Sequence, residues 1–203
     1  MRATHWFLPE TPDVLGMLRA QLAVTIEGMD AFEAWAGGDA ASGQVVRDIK
    51  PRADAAKREL LEALRVAFVL PLEPEDLFAL SRGVDWILDW SRDVVEESDV
   101  MACGPDAGIA EMAARLSQAV RHIDAGVAHL GSDPDAATDA ADAAIKAERA
   151  LEHDYYRGMA ALLDVEDMRE RIARRELYRR CSRIGEMVID VAERVVYSVV
   201  KQS

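Results

Sequence analysis

Apolar residues recur at intervals of three and four through most of the chain, the spacing that places them on one face of an α-helix. The pattern is clearest between Leu72 and Asp93, where acidic residues and a proline precede it, as they commonly do in the first turn of a helix. The stripe there consists of Leu77, Leu80, Val84, Ile87, Leu88, Ser91 and Val95. No segment alternates with period two between hairpin turns, so the sequence predicts no strand.

Glycine, proline and short polar clusters divide the pattern into six predicted helices. Gly37 and Gly38 end the first helix, and Ser42 is the expected cap of the second. Pro51 falls inside that second helix and implies either a kink or a later start. The six helices are expected near residues 12–35, 42–70, 74–97, 106–130, 135–163 and 164–201. The segment 1–11, with Trp6, Phe7 and Leu8, is expected to be an apolar arm.

Six long helices with short loops predict an all-α fold made of two tandem antiparallel three-helix bundles. The break at Cys103–Pro105 lies near the midpoint, so a single domain over 1–203 would consist of halves at 10–100 and 106–203.

A repeated pattern supports this division. Ser81 and Arg82 align with Ser182 and Arg183, and at the same offset Asp85 aligns with Glu186 and Asp89 with Asp190. Such a match predicts an internal duplication.

The composition argues against several classes of protein. The chain has a net charge of −13, which argues against the basic face that nucleic-acid binding needs. With 50% apolar and 30% charged residues in 203, it has enough apolar surface for a buried core. Two cysteines are too few for a disulfide framework, and no apolar run approaches the ~20 residues that span a bilayer. With no export signal at its start, we expect a cytoplasmic protein.

The motifs of several large enzyme classes are missing. The chain has no phosphate-binding glycine loop, dinucleotide fingerprint, nucleophile elbow or zinc-protease helix. No histidine follows a glutamate by three residues, as a di-iron helix bundle requires.

Acidic pairs one helical turn apart are the remaining candidates for chemistry. About 7 such pairs arise by chance among 37 acidic residues in 203, so the spacing alone is also compatible with a solvated acidic face. The pairs Asp85/Asp89 and Glu186/Asp190 are predicted to lie well away from the apolar stripes, on the outside or a flank of each bundle. The pair Glu148/Glu152 falls within an alanine-rich stripe, where carboxylates need a metal or an arginine. Oxygen ligands at this density suit Mg, Ca, Mn or Fe.

These residues resemble the PhoU-like regulators of phosphate transport, in particular the branch that accompanies Pit-type transporters. The resemblance runs through 49–64, the junction from Phe68 to Asp76, and Asp85/Asp89. In the second half it rests on Glu148/Glu152, Tyr155 to Arg157, Glu176 to Tyr178, and Glu186/Asp190 followed by Val191 to Arg194.

The resemblance implies two three-helix bundles whose acidic motifs hold metal clusters of iron or zinc. It also implies a cytoplasmic regulator of a phosphate transporter rather than an enzyme. The first-half motif differs from the family pattern, because Lys50 stands where an acid is expected and only Asp54 remains beside Asp85 and Asp89. An ammonium offers no lone pair to a metal and could itself neutralise these acids.

The leading hypothesis is therefore a non-enzymatic accessory protein of inorganic phosphate transport. It would dock on the cytoplasmic face of a Pit-type transporter and reach the membrane only through that partner. Metal would be held by Glu148, Glu152, Glu186 and Asp190, and less tightly by Asp54, Asp85 and Asp89. One alternative is a metal-dependent phosphoester hydrolase or phosphate-ester-binding protein, and another is an inert helical scaffold. A homo-oligomer is compatible with each hypothesis.

Overall fold

The computed structural model describes residues 12–67 and 69–202, and this part of the chain is helical apart from short connections. The predicted arm at 1–11 and the junction residue Phe68 lie outside it. The α-helices are α1 Val14–Ala36, α2 Ala40–Asp48, α3 Lys50–Val66, α4 Pro74–Met101, α5 Ala107–His129, α6 Pro134–Ala161 and α7 Met168–Gln202. A 3-10 turn at Leu162–Asp164 follows α6.

The predicted second helix is two helices. Ile49 ends α2 and precedes α3, which places Pro51 in the first turn of α3. Proline is tolerated there because its missing N–H would have no helical partner. The cap of α2 also differs from the prediction: Asp39 accepts a hydrogen bond from the backbone N–H of Ala41, and Ser42 only supports it. The last predicted helix begins at Met168 rather than Asp164.

The helices form two antiparallel three-helix bundles that lie side by side. The first contains α1, the α2–α3 pair and α4, and the second contains α5, α6 and α7. Across the boundary α1 packs against α5 and α4 against α7, so that α2–α3 and α6 lie on opposite outer sides.

One hydrophobic core spans both bundles. It includes Leu77, Leu80, Val84, Ile87 and Val95 of the predicted α4 stripe. Leu88 is also fully buried but packs in a separate small cluster with Ile49 and Ala53. The loop between α4 and α5 coincides with the predicted midpoint break, and Ala102 ends α4 in the left-handed conformation with φ 49°. The structural equivalence of the halves 10–100 and 106–203 stays a prediction. Across 12–67 and 69–202, no helix is both long and apolar enough to cross a membrane.

Candidate functional site

In the first half, three carboxylates from two helices surround one ammonium group. Lys50 is the first residue of α3, and its side chain reaches across to α4. The Nζ atom of Lys50 lies 2.6 Å from Oδ1 of Asp85 and 2.7 Å from Oδ1 of Asp89. It also lies 2.9 Å from Oδ1 of Asp54, one turn along α3. The residue that departs from the family pattern is therefore at the centre of the cluster.

A second lysine completes the cluster. Lys57 Nζ is 2.5 Å from Oδ2 of Asp85, which is only 5% exposed. Burial favours the neutral acid, but the hydrogen bonds from Lys50 and Lys57 outweigh it and hold the pKa of Asp85 below its ordinary value. Burial likewise opposes the charge of Lys50, and its three carboxylates outweigh burial and raise its pKa.

The pair Asp85/Asp89 was predicted on the outside or a flank of the bundle, and Asp85 lies on a flank that is buried. The side chain lies off the apolar stripe of α4, as expected, but α3 covers that flank and buries it, while Asp89 is half-buried. A helical wheel identifies the polar flank of one helix but not the neighbour that covers it. The three acids are paired with two lysines, which are donors only, so the arrangement fits an ion-pair cluster better than a metal site.

In the second half, Glu148 of α6 is a buried carboxyl group against α7. It is 8% exposed, and a Cβ atom added to Gly185 would meet its Cγ at 3.3 Å. Within the described residues, no hydrogen bond or ion pair reaches its side chain. Burial, followed by the negative charges of Glu152 and Glu186, raises the pKa of Glu148. The prediction that Glu148 faces inward is confirmed.

Its neighbours are exposed. Glu152, Glu186 and Asp190 all lie at the surface, as predicted for the α7 pair. The expectation that Glu152 lies inward is wrong, because Leu151 and Asp154 occupy the buried positions of that turn. Glu152 instead accepts a hydrogen bond of 3.1 Å from the Tyr156 hydroxyl.

In neither half does the described chain bring three or more His, Cys, Asp or Glu side chains together in a way that could hold a metal ion. The two clusters nonetheless differ in what a cation would meet. The first is occupied by two lysines, whereas the second combines Glu148, which has no protein partner within the described residues, with the exposed Glu152, Glu186 and Asp190.

Buried acids elsewhere are paired with arginine and tie the helices together. Asp76, 2% exposed in the first turn of α4, accepts a hydrogen bond of 3.0 Å from Arg194 and contacts Lys201 at 3.1 Å, both near the end of α7. Asp154 of α6, 4% exposed, is paired with Arg115 of α5. The residues Asp76 and Arg194, which contribute to the family resemblance, therefore join the two bundles.

A groove that the sequence reasoning missed runs along the outside of the contact between α4 and α7. We call it the α4–α7 groove; its volume is about 690 Å³. The side chains that define it are Arg82, Trp86, Met187, Asp190, Arg194 and Tyr197. The available signal was the row Phe78, Arg82, Trp86 and Trp90, which repeats every fourth residue beside the buried stripe.

No family model and no curated protein matches the chain. Solved structures, in contrast, do match the chain. A crystal structure of a PhoU-like protein from Shewanella oneidensis MR-1 is similar with a TM-score of 0.75 and 16% identity, over 93% of this chain and 100% of that chain. A second crystal structure, described as that of a PhoU-like phosphate regulatory protein from the same organism, is similar with a TM-score of 0.72 and 13% identity, over 93% of this chain and 100% of that chain. Similarity at this identity shows the fold, so the predicted PhoU-like fold is confirmed.

Proposed function

We propose that the chain is a non-enzymatic regulator of inorganic phosphate transport. The observation that carries the proposal is the match over the full length of two PhoU-like proteins, one of them described as a phosphate regulatory protein. The sequence resemblance reaches the same family from different evidence, namely the acidic pairs and the junction before α4. As a regulator of this kind, the protein acts in the cytoplasm and docks on a Pit-type transporter.

The second-half acids are the metal site of this proposal. Glu148 supplies a buried carboxyl group without a protein partner, and Glu152 and Glu186 are close enough to raise its pKa. In the described conformation these side chains do not form a ligand set. To hold iron or zinc together with Asp190, the exposed carboxylates would turn toward Glu148, and the bound cation would offset the repulsion among them. The first half needs no metal, because Lys50 and Lys57 already supply positive charge to its acids.

Co-purification with a Pit-type transporter tests the regulatory proposal. The tagged chain and the transporter from the same genome would be expressed together and extracted in detergent, and phosphate uptake would be measured in cells with and without the chain. The proposal predicts that the transporter is retained and that loss of the chain changes its uptake rate. Retention of no transporter together with unchanged uptake would contradict it, and turnover of p-nitrophenyl phosphate would favour the hydrolase alternative instead.

A further inference from the structure

The connection from α6 to α7 and the first turns of α7 expose three large apolar side chains. Leu163, in the 3-10 turn, is 78% exposed, and Met168 and Ile172 of α7 are 59% and 60% exposed. Met168 and Ile172 are one turn apart and therefore lie on the same face of α7. We call these three side chains the apolar tip.

The apolar tip lies at one end of the molecule. The helices α6 and α7 are antiparallel there, and Gly158 of α6 lies against the ring of Tyr178 of α7. Leu163 follows Gly158 by five residues, and Ile172 precedes Tyr178 by six. Leu163 and Ile172 are therefore nearly level with each other, at the turn that joins the two helices.

The exposure of Leu163 belongs to a fixed turn. Leu162 beside it is buried, and its carbonyl oxygen accepts a hydrogen bond of 3.2 Å from the backbone N–H of Val165. Arg171 of α7 donates from Nε to the carbonyl oxygen of Val165 at 2.8 Å. The turn is thus held in place from both sides. A leucine kept in water in this way gains free energy from any apolar phase that reaches it.

Arginine is concentrated beside the apolar tip. Residues 168–180 contain six arginines and two glutamates, in a chain whose net charge is −13. Arg169 and Arg175 make no ion pair within the described residues, and the ion pair of Arg179 lies at the surface. Arg175 and Arg179 follow Met168 by seven and eleven residues, so they continue the exposed face of the apolar tip along α7.

The acidic second half of α7 lies too far away to cancel this charge. Glu186 is eleven residues beyond Arg175, or about 16 Å along the helix, which exceeds the Debye length of about 8 Å in physiological salt. Nearer the tip, Asp167 accepts a hydrogen bond of 2.7 Å from the backbone N–H at the start of α7. Asp164 and Glu166 are exposed and weaken the attraction of this end for anions.

We propose that this end of the molecule binds directly to an anionic bilayer surface. The apolar tip enters the headgroup region, and Arg169, Arg175 and Arg179 contact the lipid phosphates. Burial of apolar side chains and attraction between basic residues and anionic lipids are the two contributions that hold peripheral proteins on membranes. The inference goes beyond the proposed function, because it needs no transporter.

The form of the surface favours a bilayer over a protein partner. The neighbouring pocket, of about 440 Å³, is lined on α7 by residues such as Arg169 and Glu170 and not by the side chains of the apolar tip. Protein interfaces pack their apolar anchors into preformed pockets, whereas a fluid bilayer closes around side chains that protrude singly. The high net negative charge of the rest of the chain limits contact with an anionic surface to this basic end.

Co-sedimentation of the full chain with sucrose-loaded vesicles tests the proposal. Vesicles of phosphatidylcholine alone are compared with vesicles in which about a third of the lipid is phosphatidylglycerol. Wild type is expected to bind the anionic vesicles at least about 10-fold more tightly than the neutral ones, and added salt should weaken the binding. Equal binding to both kinds of vesicle, or binding to neither, would overturn the proposal.

Removal of the arginines tests the charge contribution. Arg175→Gln/Arg179→Gln should weaken binding to anionic vesicles about 30-fold, since each basic residue near the surface contributes about 1 kcal/mol. Arg175→Lys/Arg179→Lys keeps the charge and should bind nearly as wild type does. Arg58→Gln/Arg65→Gln, at exposed positions of α3, is the matched control and should leave binding unchanged. An equal loss in this control would show that only the net charge of the chain matters.

Shortening the apolar tip tests insertion. Leu163→Ala/Ile172→Ala should weaken binding about 10-fold, because less apolar surface leaves water. Val45→Ala/Val66→Ala, at exposed positions of α2 and α3, is the matched control and should bind as wild type does. Unchanged binding of Leu163→Ala/Ile172→Ala would contradict insertion of the tip.

Neutralising the acids beside the tip should act in the opposite direction. Asp164→Asn/Glu166→Gln removes two exposed carboxylates and should strengthen binding to anionic vesicles about 10-fold. Weaker binding of this variant would contradict the proposed orientation. Circular dichroism checks that every variant folds. The vesicles contain no transporter, so failure of vesicle binding leaves the proposed regulatory function standing, and failure of co-purification leaves lipid binding standing.

Discussion

The acidic cluster of the first half and that of the second half share a sequence pattern but differ in their chemistry. On α4, Asp85 and Asp89 meet Lys50 at less than 3 Å. On α7, Glu186 and Asp190 are exposed, and Glu148 of the neighbouring α6 makes no ion pair within the described chain. The comparison shows that a repeated acid spacing does not define a metal site by itself. The residue supplied by the neighbouring helix decides whether the acids need a cation.

The buried acids of the two halves differ in the direction of their pKa shifts: the pKa of Asp85 is lowered, and that of Glu148 is raised. Burial raises the pKa of both groups, but lysine contacts reverse the effect at Asp85, whereas Glu152 and Glu186 add to it at Glu148. Asp85 therefore stabilises the fold as a carboxylate. Glu148 destabilises it when ionised and gains from protonation or from a bound cation.

Replacing the central lysine by an acid should have the largest effect. Lys50→Glu removes the ammonium and adds a fourth carboxylate beside Asp85, so we expect the metal-free variant to lose about 4 kcal/mol of unfolding free energy in urea titrations. Added Mn²⁺ or Zn²⁺ should restore part of that loss. Lys146→Glu, at an exposed position of α6, is the matched control and should change stability by less than about 1 kcal/mol. If metal stabilises Lys50→Glu no more than wild type, the first-half acids are not a ligand set.

Removing the Lys50 ammonium without adding a negative charge should lower the free energy of unfolding by a smaller amount. Lys50→Met leaves Asp85 with Lys57 and leaves the partly exposed Asp54 and Asp89 to water, so we expect a loss of about 2 kcal/mol in the same titration. Lys146→Met controls for the loss of a lysine. A change of under about 0.5 kcal/mol would show that the cluster does not depend on Lys50.

Neutralising the buried acid of the second half should have a smaller effect of opposite sign. The folded state binds the Glu148 proton more tightly than the unfolded chain does. Its contribution is therefore fully present below the ordinary pKa of 4.5 and is lost as the pH rises through the raised value. In metal-free buffer, Glu148→Gln should gain about 1 kcal/mol at pH 7, and the gain should vanish below about pH 4. The exposed Glu166→Gln is the control; a gain independent of pH would contradict this explanation.

The sequence predicted the helices and the core well because both follow from local periodicity. The α4 stripe is buried as expected, and the break near Cys103 separates the bundles. The division of the second predicted helix at Ile49 was only partly predictable, since Pro51 allowed a kink or a later start. In the structure α2 ends at Ile49 and α3 begins at Lys50, and α3 packs against both α1 and α4.

The site was less predictable because it depends on contacts between helices. The sequence identified Lys50 as a competitor for the first-half acids, and the structure places it among them. It could not show that α3 buries Asp85 or that Leu151 turns Glu152 outward. The row Phe78, Arg82, Trp86 and Trp90 on α4 has a repeat of four in the sequence. Its last ring is covered by Arg183, which lies 93 positions after Trp90 and could not be identified from that repeat.

The most direct test of the contrast between the halves is metal content after equilibrium dialysis, measured by elemental analysis. Three proteins would be loaded with iron or zinc: wild type, Glu148→Gln/Glu152→Gln, and Asp85→Asn/Asp89→Asn. We expect wild type to retain about one equivalent of metal and Glu148→Gln/Glu152→Gln to retain essentially none. Asp85→Asn/Asp89→Asn should match wild type, because Lys50 and Lys57 already pair with the acids of the first half. Equal loss in both variants, or no metal in wild type under any loading condition, would contradict the account.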